Sequence, residues 1–501
     1  MRRALALALA LAAALAEAPP EAAESRDPYG SSVVGLAITF QGFDEDRPWE
    51  KTAPSTRRAL AAVVEGPYLL TTAEMVAGAT LIQVEKFGRA AEAPARVVHV
   101  DREADLALLD VADPSFLADL APVKLAGAMP LDDPLRTVRW RNQQLEVSSS
   151  RIKRFEVQEA WFGELRHVFA LVQTDLSGGG WAEPVFAGDA LAGLTVSQNE
   201  QTARVIPVEI LRAYLERARA GVAYRGFPDL GARWQVNEDA ALARFLGQEG
   251  EPSGVLIRQV PLGSSGSGVL EPRDILLSLD GRAIDRSGYY AHPRFGRIEF
   301  SAILTEEHRV GDVLPAQVLR GGKVIDVRIP LREYPAGLDL VPVRRGDDPP
   351  PYLVAGGLVF RELDGDYLRS WGRDWMKKAP LQILSRFLLS RSSQEPGKLR
   401  IVVLKGVLPS PYNLGYHDLS HVIVERVNGR SVDSIAAAAE AFRHPEGGFH
   451  TIELIPNGGT SLVVLDAERL EEATKATLEE YGIPAAVKTA ASAPPPLGDS
   501  D

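Results

Sequence analysis

From about residue 31 to residue 220 the chain is a succession of short, apolar, strand-like runs separated by turn residues. This spacing constrains the fold more than any other feature. The runs include residues 32–40, 68–72, 80–85, 95–100, 106–111, 168–174 and 191–196. Strands recurring at such intervals, with few helical patterns between them, predict an all-β barrel or sandwich. The one clear helix, 207–218, carries its apolar residues at Val208, Ile210, Leu211, Tyr214 and Leu215 and closes the segment.

Two later stretches resemble each other. Gly254-Val255-Leu256-Ile257 is followed by a run through Asp280-Gly281 to Ile284, and Ile401-Val402-Val403-Leu404 by a run through Asn428-Gly429 to Val432. Asp-Gly and Asn-Gly between strand-like runs predict tight hairpin turns. Each unit then has a helical stretch and a Gly-Gly hairpin, at Gly321-Gly322 and Gly458-Gly459. Two units of this size are duplicated domains, since solenoids need several short repeats. The stretch 344–351 is rich in charge and Pro and predicts a linker. A chain of 501 residues is too long for one ordinary core. The expected division is 31–220, 221–335, a linker at 336–351 and 352–488. The Ala/Pro/Ser-rich tail, 489–501, is expected to be disordered.

Arg2 and Arg3, the Ala/Leu stretch 4–16 and the small residues Ala14-Leu15-Ala16 fit a cleaved secretory signal at 1–16. That predicts an exported protein, periplasmic or extracellular, with no membrane span after cleavage. The chain has no Cys, which removes disulfides and thiol chemistry. Its net charge of -12 argues against nucleic acid as a partner.

Four motifs in order carry a resemblance. They are Val64-Glu65-Gly66-Pro67-Tyr68-Leu69-Leu70-Thr71-Thr72-Ala73-Glu74-Met75-Val76, Asp101-Arg102-Glu103-Ala104-Asp105-Leu106-Ala107-Leu108-Leu109, Gln173-Thr174-Asp175 with Pro184-Val185-Phe186, and Ile206-Pro207-Val208. Together they resemble the protease domain of the HtrA/Deg serine proteases. The region beyond is similar to the PDZ domains of that family, especially of organellar Deg proteases with two such modules. The resemblance implies a mostly β chain: a chymotrypsin/trypsin-like double β-barrel followed by two PDZ-type α+β domains. It also implies peptides or unfolded envelope proteins as partners, and a homo-oligomer, a trimer in that family.

On the same resemblance Glu74 stands at the catalytic histidine, Asp105 at the aspartate and Trp181 at the serine. Ala182 and Glu183 replace the two following glycines. A carboxylate is a poor base for an alcohol near neutral pH, and beside Asp105 it repels instead of pairing. Indole offers no nucleophile, and its bulk is expected to fill the hole for a substrate carbonyl. The resemblance therefore implies a pseudoprotease acting through peptide binding, in envelope protein quality control. The alternative is an active HtrA/Deg-type serine endopeptidase, in which Ser177 would have to serve.

Other groupings have weaker chemistry. His99 and His167 lie in strand contexts away from Glu74. Gly178-Gly179-Gly180 is either an oxyanion-like nest or a loop relieved of selection. His417 and His421 fall in a turn, where helical metal-ligand spacing is lost. The Glu74/Asp105 pair has the makings of a two-carboxylate hydrolase site. Trp140, Trp161 and Trp181 are a ligand box or simple packing. No metal or cofactor is expected. By family analogy the first module takes a peptide carboxylate on the loop Phe227, Pro228, Asp229, Leu230 and Gly231, although Pro228 supplies no N–H.

Overall fold

The computed structural model describes residues 29–490 except 67, 88–90, 142–143, 161–164, 177, 180, 220–223, 334–338, 391–397 and 456–458. The expected signal, nearly all of the expected tail, Ser177, Gly180, Trp161 and Gly458 lie outside the described residues.

Six strands, β1 (Val33–Phe40), β2 (Ser55–Val64), β3 (Tyr68–Thr71), β4 (Ala79–Glu85), β5 (Glu92–Asp101) and β6 (Leu106–Val111), close into a barrel in the order β1-β2-β3-β6-β5-β4. Side chains alternate across a strand, and in Ala59–Val64 of β2 both faces are buried. Ala59, Ala61 and Val63 of β2 pack with Val34, Leu36, Ile38, Leu69 and Leu109. Leu60, Ala62 and Val64 pack instead with Phe169, Phe186, Leu194 and Ile206 from the next sheet. That double burial explains why β2 is apolar almost without alternation from Ala59 onward.

The next sheet contains β7 (Lys124–Leu125), β8 (Leu135–Arg141), β9 (Gln144–Glu159), β10 (Arg166–Thr174), β11 (Pro184–Ala187), β12 (Ala190–Asn199) and β13 (Thr202–Pro207). Its order is β11-β8-β9-β10-β13-β12-β7, and an extra β11–β12 pairing curls it on itself. The predicted helix is α2 (Val208–Arg219), after a single turn, α1 (Ala73–Val76), in the first barrel. Ile210, Leu211, Tyr214 and Leu215 seal the seam between the two sheets. The architecture is mostly β: two barrel-like sheets followed by α+β structure.

The first α+β unit has a five-strand path, Arg233–Val236, Val255–Gln259, Ile275–Leu279, Val313–Arg320 and Lys323–Pro330. Val157 and Val168 of the second barrel join its core with Phe300 and Ile303, so the unit is docked on β9 and β10. The second unit's sheet runs Leu462–Asp466, Phe449–Leu454, Val422–Val427, Val402–Val407, Leu358–Glu362, Tyr352–Ala355, Val487–Lys488. Asp280-Gly281, Asn428-Gly429 and Gly321-Gly322 all have positive φ, which tight hairpin turns of this hand require.

The stretch expected as a linker is packed instead. Leu340 and Val341 are buried in a core with Tyr367 and Ile383. Arg344 pairs with Asp366 at 3.0 Å, and Asp347 with Arg102 of the first barrel at 2.8 Å. Its composition suggested a solvated tether, but each of these charges meets an opposite one that is distant in sequence. Among the described residues, no helix is long and apolar enough to cross a membrane.

Candidate active site

β3 and β6 pair with Thr71 opposite Ala107, so the residues flanking these strand ends converge. Glu74 sits on α1 just after β3, and Asp105 immediately before β6 in a left-handed conformation with φ 54°. Asp105 is 1% exposed, and its Oδ1 accepts the backbone N–H of Glu74 at 2.7 Å. The two residues the sequence singled out are therefore together, joined through the Glu74 main chain. Burial holds the Asp105 carboxyl well above its ordinary range; the Glu74 hydrogen bond acts against this and the Glu74 charge adds to it. Burial also raises Glu74, with Arg344 and Arg57 pulling it back. Two neighbouring carboxyls pushed upward favour sharing of protons over a pair of anions.

The surroundings hold α1 rigidly. Arg57 of β2 donates to the carbonyls of Glu74 at 3.0 Å and Ala77 at 2.7 Å, with its guanidinium 4.1 Å from the Phe40 ring. Asp347, from the supposed linker, accepts the Gly78 N–H at 2.6 Å. A cleft of about 370 Å³ opens beside α1, lined by Ala73, Val76, Leu81, Val97, Arg102 and Asp347. Neither Asp105 nor Trp181 lines it.

Trp181 is 51% exposed. The expectation that its indole fills a substrate hole is corrected: the ring points largely to solvent. Its neighbour Ala182 takes the buried place, with φ 57° and no exposure, inside the core of the first barrel. Ala182 N–H donates to the Thr195 carbonyl at 2.9 Å, and Glu183 N–H to Thr195 Oγ1 at 2.9 Å. Glu183 then sends its carboxylate inward to a buried ion pair with Arg139 of β8, and Arg139 also donates to Gln198 at 2.8 Å. A Cβ on Gly179 would lie 2.0 Å from the Arg139 guanidinium, so the loop lies directly on this pair. Sequence reading missed Arg139, because it is one of three arginines in β8 and nothing local marks it as the buried one.

The remaining candidates lie apart. His99 Nδ1 is 2.9 Å from Tyr214 Oη. His167 is fully buried, and its pKa falls to about 4 because burial disfavours the cation. His417 and His421 face different partners, Asn413 and Tyr367. Trp140 packs on Gly35 and edge-on to Phe87 at 4.4 Å, with no ligand box around it. Among the described residues the one grouping with metal-ligand geometry is Asp280, Glu307 and His308, and Arg282 already pairs with both acids. In the expected peptide loop Phe227, Pro228 and Leu230 are buried, and the Gly231 N–H is engaged by Asp229 Oδ1 at 2.5 Å.

A family model described as a PDZ domain matches residues 341–489. The chain is 26% identical over 462 residues to Protease Do-like 2, chloroplastic, of Arabidopsis thaliana, covering 91% of this chain and 74% of that protein. The chain is thus similar to Do-like proteases over nine-tenths of its length. A second relative, Protease Do-like 4, mitochondrial, of the same plant, is 24% identical, covering 93% of this chain and 88% of its own length. Among solved structures, the HtrA-type protease AlgW with decapeptide covers 61% of this chain and 97% of its own at TM-score 0.45 and 19% identity.

Proposed function

We propose that this chain is a pseudoprotease of the HtrA/Deg family that binds peptide or protein segments and does not cleave them, acting as an exported scaffold or modulator in protein quality control. One observation carries the reading: the side chain beside the buried Asp105 is the Glu74 carboxylate, where a protease needs an imidazole to accept and return a proton, and Asp105 Oδ2 is buried with no hydrogen-bond partner among the described residues. The exposed Trp181 and the ion pair under its loop support it, since neither supplies a nucleophile.

Peptide binding rests on sheet edges, where an extended segment adds a strand. In the first α+β unit, taken as a second PDZ-type module, Arg233–Val236 ends the sheet and pairs with Val255–Gln259. In the second unit the corresponding edge is extended by the chain's own Tyr352–Ala355 and Val487–Lys488, with Val354 N–H donating to Ala486 O at 2.7 Å. The first unit is therefore the peptide receiver.

The test is incubation of the purified protein with an unfolded casein-type substrate and a serine-reactive fluorophosphonate probe. No cleavage and no labelling are expected. Labelling lost in Ser177→Ala would overturn the reading and make this an active serine endopeptidase.

A further inference from the structure

The helix Leu381–Ser390 carries six apolar residues, with Gln382, Ser385, Arg386 and Ser390 among them. Ile383, Leu384 and Phe387 face inward, packed with Leu363, Tyr367 and Leu368. Leu381, Leu388 and Leu389 face outward at 79%, 54% and 81% exposure. Leu381 and Leu388 are seven residues apart, so they lie on one line of the helix, with Leu389 beside them. The inward residues are covered by the chain, and the outward leucines form an exposed apolar patch of the kind that marks an interaction site.

The preceding turn adds a second feature. The short helix Trp375–Lys378 is held against this helix by Trp375, whose ring meets Phe387 edge-on at 5.6 Å. It presents Met376 at 59% exposure, with Arg373, Lys377 and Lys378 all exposed. Between residues 370 and 380 Arg373, Lys377 and Lys378 stand against the single acid Asp374, in a chain whose net charge is -12. Exposed leucines beside a local cationic excess are the combination that seats a helix at a charged lipid interface. The half-buried Trp371 and Trp375 suit the same depth.

We infer that the outer face of Leu381–Ser390, with Arg373, Met376, Lys377 and Lys378, docks on an anionic membrane surface. The leucines enter the boundary between headgroups and acyl chains, and the cations meet lipid phosphates. A second copy is the weaker occupant. A two-fold contact through this patch would set its cations against themselves.

The experiment is co-sedimentation of the full chain with vesicles of equal parts phosphatidylglycerol and phosphatidylcholine, and with pure phosphatidylcholine vesicles. The protein should pellet with the anionic vesicles, less as salt rises, and stay in solution with the neutral ones. Leu388→Glu with Leu389→Glu, both at exposed positions, should weaken binding about tenfold or more with the melting temperature unchanged. Lys377→Gln with Lys378→Gln should reduce the preference for phosphatidylglycerol. The proposal is overturned if the anionic vesicles leave the protein in solution or if the leucine changes leave binding intact. Concentration-dependent dimerisation abolished by those same changes would also overturn it, assigning the face to a second copy.

Discussion

The Glu45 carboxylate lies 2.9 Å from the Arg361 guanidinium, joining residues 316 positions apart across the boundary between the first barrel and the second α+β unit. Arg361 is fully buried over the Tyr367 ring, and Arg345 and Asp364 complete a group of two cations and two anions. Removing one member of such a group leaves a buried charge without its compensation.

Glu45→Ala should therefore destabilise the protein by on the order of 3–5 kcal/mol in urea unfolding. The double change Glu45→Gln with Arg361→Met should cost less, because it removes both charges together. A single-variant loss below about 1 kcal/mol would show that the group is not holding the two units together.

Asp105 gives a prediction with a definite sign. Its folded pKa is raised, so its stabilising contribution is complete below the unfolded value of about 3.9 and is lost as pH climbs through the folded value. Asp105→Asn stays neutral and keeps an oxygen for the Glu74 N–H. Thermal melts should find the variant more stable than the parent at pH 8, with the gap closing toward pH 4. A variant less stable at pH 8 would mean that the ionised carboxylate is what the site needs.

His167 runs the opposite way. Its pKa is depressed to about 4 by burial, with the nearby Arg204 charge contributing. Stability is present above about pH 6.5 and is lost as pH falls toward the folded value, on the order of 3 kcal/mol in all. His167 Nε2 is buried without a hydrogen-bond partner among the described residues, so leucine forfeits only the Nδ1 contact with the Val168 carbonyl at 3.0 Å, a loss that does not vary with pH. His167→Leu should lose less stability than the parent between pH 7 and pH 5 by chemical denaturation. Parallel pH profiles would contradict this.

Five of the six strands of the first barrel, β1 and β3 to β6, were legible because turn residues and short apolar runs are local signals; β2 was not among the runs read. The helix 207–218 differs from α2 by a single residue at each end. Strand β9 carried no comparable signal: its alternation mixes Ser, Arg and Glu, and its length is set by pairing with β8 and β10. Glu74 and Asp105 were legible as a pair through motif order alone, and pairing of β3 with β6 brings them together.

The sequence by itself determined the mostly β architecture, the turn chemistry at Asp280-Gly281 and Asn428-Gly429, and the residue types available at the candidate site. Backbone conformation and side-chain chemistry are local, so they can be read in order along the chain. Only the tertiary structure decided that Trp181 faces solvent while Ala182 is buried, and that Glu183 finds Arg139. It also decided that the charged stretch 344–351 locks onto the first barrel and that Leu381, Leu388 and Leu389 are exposed. Each depends on what lies opposite in space, and burial and charge compensation are properties of residues far apart in sequence.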